Sequence, residues 1–366
     1  MSTKHVSAEH GVICSMPFDK FGFFGWPSVA RTDGGKLVAI ASGLRFAHVC
    51  PWGKTVLFTS DDEGATWSPP RILNDTPLDD RDAGIISLGG EKLLATWFSA
   101  DRRPGYKPEH APEGNRVQRE AVLNALTEDA VTRWSGSWVR TSIDGEAWSD
   151  YLRCPVNTPH GPIRLDSGDL LYFGKQWYIP GENDLGQSLG DIRAVNSRDD
   201  GVTWTTLGSV PLPSDMDNTN VGEPHVVETA SGRLIGLIRY VKRGTGVYDE
   251  FNMFQTESDD DGKTWTEAHL VGYGSPPHMI RHSSGAIVCV YGSRREPFGE
   301  CAMFSYDDGK TWDMDWMIHD SPPKDLGYPG SVELPDGRIM TVYYQYLDAS
   351  HKNAALQYSV WEMPGR

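Results

Sequence analysis

One short pattern, Ser-x-Asp-x-Gly-x-Thr-Trp, limits the architecture of this chain more than any other feature. It stands at residues 60–67, 197–204, 258–265 and 305–312, and a copy one residue shorter occupies 142–148. Asp followed two residues later by Gly is turn chemistry: the Asp side chain caps its own backbone and the Gly takes positive φ. The Ser closes one strand and the Trp begins packing the next. A hairpin turn written five times, each with its own Trp anchor, marks a repeat architecture. Such turns are expected to pin the outer edges of the repeats and to supply fold rather than chemistry.

A second repeat interleaves with the first. A strand, a turn and a strand recur at residues 27–37, 82–93, 160–170, 223–234, 276–287 and 328–339. Their aligned apolar residues, Leu37, Leu93, Leu170, Leu234, Ile287 and Ile339, lie 56, 77, 64, 53 and 52 residues apart. A four-stranded blade takes roughly 40–50 residues plus loops. Six copies therefore predict an all-β fold, one six-bladed β-propeller domain spanning 1–366. The last copy has no box after it, and 354–363 reads as one final apolar strand. A strand within 11–24 is expected to pair with that blade, because closure removes exposed edges. The widest gap holds an insertion at about 99–138. Its first half, 100–115, is rich in Pro and charge and reads as a loop. Within 120–134, Val122, Leu123, Leu126, Ala130 and Val131 fall on one helical face, which predicts a short helix. Such an insertion walls a pocket, meets another subunit or decorates the surface.

Composition narrows the partners. The formal charge of −16 argues against nucleic acid and against an anionic membrane. With 39% hydrophobic residues, 13 Trp, 14 Tyr and 12 Phe, a large core is available. Residues 1–8 carry no apolar run, so the expectation is a cytoplasmic chain. Five cysteines, an odd count with no Cys-x-x-Cys pair, read as buried free thiols rather than a zinc site or a disulfide framework. No cofactor and no metal are expected, and a homo-oligomer remains open.

In a propeller the inner strands surround the central axis and ligands bind at one mouth. Eleven residues before each aligned Leu or Ile stand Trp26, Asp82, Pro159, Glu223, Pro276 and Tyr328. Two residues further on, the same strand face carries Ser28, Gly84, Gly161, His225, His278 and Gly330. The ionisable groups among these are expected to converge at the mouth, with His48, His160 and Arg81 near them. Cations follow the second strands: Arg45, Arg239, Arg294 and Arg295. Planar, permanently charged arginine forks suit carboxylates, so an anionic ligand is expected. Each arginine could equally tie down a loop.

The box resembles the Asp-box of sialidases, and the whole chain resembles that superfamily of six-bladed propellers. On that resemblance, Phe24-Gly25-Trp26-Pro27 sits where sialidases have Phe-Arg-Ile-Pro. Glu223-Pro224-His225 is similar to the strand bearing the glutamate that activates a tyrosine nucleophile, and Tyr328 falls where that tyrosine would be. Arg239 looks like the second arginine of the carboxylate-binding triad, and Arg294 or Arg295 like the third. Three departures stand out. Gly25 replaces the first arginine. Gln345, after Tyr344, replaces the acid that steadies it, a coupled loss because a buried carboxylate without its cation is costly. The acid/base aspartate is missing too, since 38–60 contains no Asp or Glu.

Three functions are compatible with these residues. One is a sialidase-like, exo-acting glycoside hydrolase acting on a terminal, acidic sugar of a glycan. In it Tyr328 and Glu223 form the nucleophile pair, and Asp82 or His48 is the acid. The second is a polysaccharide lyase, with Tyr328 or a histidine taking the proton beside a uronate carboxylate that Arg239 and Arg295 neutralise. The third is a glycan-binding propeller without chemistry. All three make a carbohydrate the partner.

Overall fold

The computed structural model describes residues 4–104, 106, 115–176, 190–241 and 251–365. Strands make up 50% of it and helix 6%. They form six antiparallel sheets arranged as the blades of one propeller. Blade 1 comprises Phe23–Arg31, Leu37–Arg45, Lys54–Ser60 and Arg71–Asn74. Blade 2 comprises Asp79–Gly89, Lys92–Ala100, Gly136–Ser142 and Leu152–Cys154. In blade 3 the inner strand is broken into Val156–Asn157 and Ile163–Arg164, followed by Leu170–Gln176, Ile192–Ser197 and Thr205–Ser209. Blade 4 is Val221–Glu228, Leu234–Val241, Phe251–Ser258 and His269–Tyr273. Blade 5 is His278–Arg281, Ile287–Ser293, Gly299–Ser305 and Asp313–Asp320. Blade 6 is Gly327–Glu333, Ile339–Gln345 and Ala355–Trp361, closed by Ala8–Cys14.

The closing strand starts earlier than the 11–24 expected, pairing Ala8 with Trp361. Ahead of it, Lys4–His5 adds a parallel edge to blade 5. The N-terminus thus bridges blades 5 and 6.

The core is divided by the blades. Buried apolar side chains fall into six clusters, one between each neighbouring pair. Alternation along the second strands produces this. Leu37 and Ala39 face blade 6, whereas Val38 and Ile40 face blade 2. These strands therefore read as continuous apolar runs rather than half-polar ones, because both faces are covered. Each fully buried Leu, Ile or Phe contributes about 1.5–3 kcal/mol.

The boxes link the third strand of a blade to the fourth and lean on the blade before. In blade 4, Ser258 Oγ accepts the Gly262 N–H at 2.9 Å, and Asp260 Oδ1 accepts the Thr264 N–H at 2.8 Å. Gly262 has φ +83°, and a Cβ there would lie 3.2 Å from Ala194 of blade 3. The N–H and the hydroxyl of Thr264 together hold the Asp260 carboxyl down at about 2.

The insertion differs from the single helix expected over 120–134. Two helices form, α1 (Arg116–Ala125) and α2 (Glu128–Trp134). The break has a local cause. Leu126 turns extended and Thr127 caps α2, its hydroxyl accepting the Ala130 N–H at 3.2 Å. Helix α1 leans on the loop between the second and third strands of blade 1. There Arg119 donates to the Val49 carbonyl at 3.2 Å and stacks on Phe46. Much of the loop expected over 100–115 lies outside the described residues.

Candidate active site

The inner strands of blades 1, 2, 4 and 6 share one irregularity. Their pairing with the second strand skips between Gly25 and Ser28, Arg81 and Gly84, Gly222 and His225, and Gly327 and Gly330. Within each skip one residue takes a left-handed backbone: Trp26 (φ 53°), Asp82 (φ 49°), Glu223 (φ 46°) and Tyr328 (φ 53°). A non-glycine residue held there costs on the order of 1–3 kcal/mol. A bulge also re-aims the side chain of the strand that carries it. Four blades pay that strain at one level of the propeller, and the four side chains meet near the axis.

The Tyr328 hydroxyl donates to Glu223 Oε1 at 2.8 Å. Arg239 Nη1 donates to the same phenol oxygen at 3.1 Å and lies 2.7 Å from Glu223 Oε2. Burial, then the neighbouring Glu223 charge, pushes the Tyr328 phenol well above its ordinary value. Burial also raises the Glu223 carboxyl, against the opposing pull of Arg239. The triad therefore rests as a protonated phenol facing a carboxylate of raised basicity, with a guanidinium touching the phenol oxygen. Asp82 stands beside them, paired with Arg81 at 3.3 Å, and its charge bears on both Glu223 and Tyr328.

A second group lies on the other side of Trp26. Trp26 is fully buried, with the Arg81 guanidinium 4.1 Å over its ring and the His48 ring edge-on at 4.7 Å. His48 Nδ1 is 2.6 Å from Asp325 Oδ2, and the Tyr344 hydroxyl donates to Asp325 Oδ1 at 2.8 Å. The Trp26 ring centroid is 6.2 Å from that of Tyr328, so one indole stands between the two groups. Desolvation lowers the His48 pKa from its ordinary value, Asp325 opposes it, and the Arg81 and Arg45 charges add to the fall. Asp325 was not legible in the sequence: 277 residues separate it from His48. Its one signal is its place three residues before Tyr328.

Several residues expected at this mouth have other positions. Arg45 is wholly buried, paired with Asp79 at 2.7 Å and donating to the Asp80 and His48 carbonyls. Its strand ends near the mouth, but the side chain turns inward toward a carboxylate that Arg102 also holds at 2.7 Å. Arg295 is exposed and stacks 3.9 Å over Tyr273, whereas Arg294 faces the Tyr328 ring at 5.6 Å. Arg294 also donates to the Ser275 and Leu326 carbonyls. Gly327, at φ +113°, leaves room for it, since a Cβ there would lie 3.2 Å from Arg294 Nη2. Behind Arg294 sits Glu300, fully buried. Burial drives its carboxyl far upward, and Arg294 opposes that rise.

His160, His225 and His278 form a separate layer further along the channel, with ring centroids 4.4–5.7 Å apart. They line a cavity whose walls include none of Trp26, Asp82, Glu223 or Tyr328. Two residues along a strand is about 7 Å, and that step carries His225 and His278 out of the Tyr328 cluster. Gln345, where sialidases carry an acid, donates to the Asp320 carbonyl at 3.1 Å. Among the described residues no three His, Cys, Asp or Glu side chains are grouped to hold a metal ion, and all five cysteines are free thiols. No described helix is long and apolar enough to cross a membrane.

Solved structures share this shape at low identity. A protein of unknown function from Dyadobacter fermentans superposes with a TM-score of 0.73 at 21% identity, covering 97% of this chain and 98% of that one. The NanB sialidase of Streptococcus pneumoniae, as its K499G mutant, gives 0.66 at 16% identity, covering 96% and 70%. The intramolecular trans-sialidase of Ruminococcus gnavus, in complex with oseltamivir carboxylate, gives 0.62 at 16%, covering 96% and 97%. At such identities the likeness is one of fold. No curated protein sequence matches the chain. The model of the BNR repeat-like domain matches residues 116–341, and this sialidase-like, six-bladed propeller belongs to that family.

Proposed function

We propose that this protein is a glycoside hydrolase that removes a terminal, acidic sugar from a glycan, with Tyr328 as nucleophile. The observation that carries the reading is the Tyr328 hydroxyl held between Glu223 at 2.8 Å and Arg239 at 3.1 Å. A phenol attacks at neutral pH only with an adjacent base, and a carboxylate of raised basicity at hydrogen-bond distance supplies one. As the proton moves to Glu223, charge grows on the phenol oxygen, where the Arg239 N–H already points. A fixed donor aimed at developing charge in a site shielded from water is an effective form of stabilisation. Tyr328 then bonds to the anomeric carbon as the bond to the leaving oxygen breaks. His48, oriented by Asp325, gives that oxygen its proton and afterwards takes one from a water, whose oxygen bonds to the anomeric carbon as the bond to Tyr328 breaks and Glu223 returns the phenol its proton. Arg294 and Arg81 supply positive charge around the same space for an anionic group of the sugar.

The pocket departs from a sialic acid site where Gly25 stands. A simple sialoside is therefore a poor substrate, and a uronide or another acidic sugar a better one. The test is release of aglycone from 4-methylumbelliferyl glycosides of sialic, glucuronic and galacturonic acids, together with analysis of products from uronate-containing glycans. A free reducing sugar supports hydrolysis. An unsaturated, ultraviolet-absorbing product would replace it with the lyase reading, and turnover of the sialoside at about 1–1000 per second would overturn the specificity argument.

A further inference from the structure

The channel has a second end. Five residues beyond the Trp26–Tyr328 level, or about 17 Å along extended strands, the six inner strands carry Arg31, Ser87, Arg164, Glu228, Arg281 and Glu333. All six line one cavity of about 490 Å³, closed at its inner end by His160, His225 and His278. The arginines come from blades 1, 3 and 5, so three guanidinium groups alternate around the ring. Arg281 is held by Asp166 through two bonds of 2.6 and 2.9 Å. Among the described residues Arg31 has only a loose ion-pair contact with Glu63 at 3.9 Å. The Arg164 side chain makes no hydrogen bond or ion pair among the described residues. The two glutamates are already engaged: Glu228 accepts the Asp166 N–H at 2.7 Å, and Glu333 accepts the Ser283 N–H at 2.8 Å.

The histidines are not equivalent. His225 Nδ1 accepts the Met279 N–H of blade 5 at 3.1 Å, and His278 Nδ1 accepts the Ser331 N–H of blade 6 at 3.3 Å. Each ties its blade to the next, and each keeps its proton on Nε2, so a metal has no lone pair to bind there. His160 breaks the series. It is 1% exposed, it lines the cavity, and neither ring nitrogen has a hydrogen-bond partner among the described residues. A buried polar group left so costs on the order of 1–3 kcal/mol, which a ligand oxygen would offset.

We propose that this far end of the channel is a second binding site, distinct from the Tyr328 mouth, for a small ligand bearing one oxyanionic group. The three arginines receive the carboxylate, phosphate or sulfate, and the imidazole layer meets the ligand's remaining oxygens. The volume suits one sugar unit, so the oxyanion is either free or carried on a monosaccharide. Nothing in this inference requires the protein to be a hydrolase.

Calorimetric titration with inorganic phosphate, glucuronate and glucose 6-phosphate, at fixed ionic strength with a chloride control, tests it. Binding of at least one of these at about 1 mM or tighter is expected, weakened tenfold or more in R164A and unchanged in Y328F. The Arg164 side chain is exposed and unpaired among the described residues, so its loss leaves the fold intact. Phosphate binding as tightly as glucose 6-phosphate would assign the affinity to the charged group alone, and tighter sugar phosphate binding would assign part of it to the imidazole layer. Either result supports the site. No saturable heat with any probe, or binding that R164A leaves unchanged or Y328F abolishes, would overturn it.

Discussion

Two levels of this propeller repeat the same left-handed backbone and use it in opposite ways. At the outer turns Glu63, Asp200, Asp261 and Asp308 hold φ of 56°, 55°, 59° and 56°. At the inner bulges Trp26, Asp82, Glu223 and Tyr328 hold 53°, 49°, 46° and 53°. Around the outer residues the sequence is nearly constant, and the polar groups of Ser, Asp, Gly and Thr satisfy one another within a single turn. Around the inner residues the conformation recurs but the side chains do not: an indole, two carboxylates and a phenol, the phenol of blade 6 meeting Glu223 and Arg239 of blade 4. Repetition of residue and conformation together is the mark of a structural staple. Repetition of conformation with varied residues marks a scaffold that presents different groups to one point. The strain of the inner bulges is offset by six interblade cores.

That contrast can be broken by experiment. The largest effect belongs to the inner level. Tyr328→Phe is expected to lower kcat by about 10³-fold or more on whichever glycoside is turned over, within the range set by removing acid–base or nucleophilic chemistry. The thermal midpoint should stay near that of the wild type, because the ring and its packing remain. A variant that unfolds would return Tyr328 to the core.

A smaller effect is expected from the His48 side. The rate needs Glu223 ionised and His48 protonated. The first pKa is raised and the second lowered, so the bell-shaped pH profile should be narrow, with its alkaline limb below 6.5. Asp325→Asn removes the group that holds the His48 pKa up. The alkaline limb should move to lower pH and the maximum rate should fall about tenfold. An unmoved limb would remove His48 from the reaction.

At the outer level the signs reverse. Ser258→Ala leaves the buried Gly262 N–H without its acceptor, which should cost about 1–3 kcal/mol of stability and leave kcat unchanged.

The smallest effect concerns the imidazole layer. Burial lowers all three histidines, His278 to about 3. The unfolded chain therefore takes up protons first as pH falls through 6.5. The layer's contribution is fully present above that value and declines toward about 3. In chemical denaturation between pH 7 and 5, His278→Gln should show a shallower loss of stability than the wild type. An equal slope would mean that other groups carry the acid sensitivity.

The fold was legible because each Asp-box turn is closed by its own neighbours in sequence, and five of them fixed the blade count with the six inner strands. The aligned register also brought Glu223 and Tyr328 to one level. What the sequence could not show was depth and distant pairing. His225 and His278 share a strand face with the bulge residues, yet the strand carries them down the channel to backbone groups of the next blade. Arg45 reads as a mouth residue until Asp79, 34 residues away, is seen to draw it inward. Asp325 meets His48 only because closure sets blade 6 against blade 1. The second helix of the insertion followed from Thr127, a cap that an apolar periodicity passes over.

The account's central claim is that the varied inner level does chemistry through Tyr328. The most direct measurement is peptide mass mapping of enzyme quenched with acid during turnover of the glycoside found in the screen. One sugar unit attached to the peptide carrying Tyr328, and absent from Tyr328→Phe, is the predicted result. Turnover with no adduct on the wild type, or an adduct on any other residue, would contradict it.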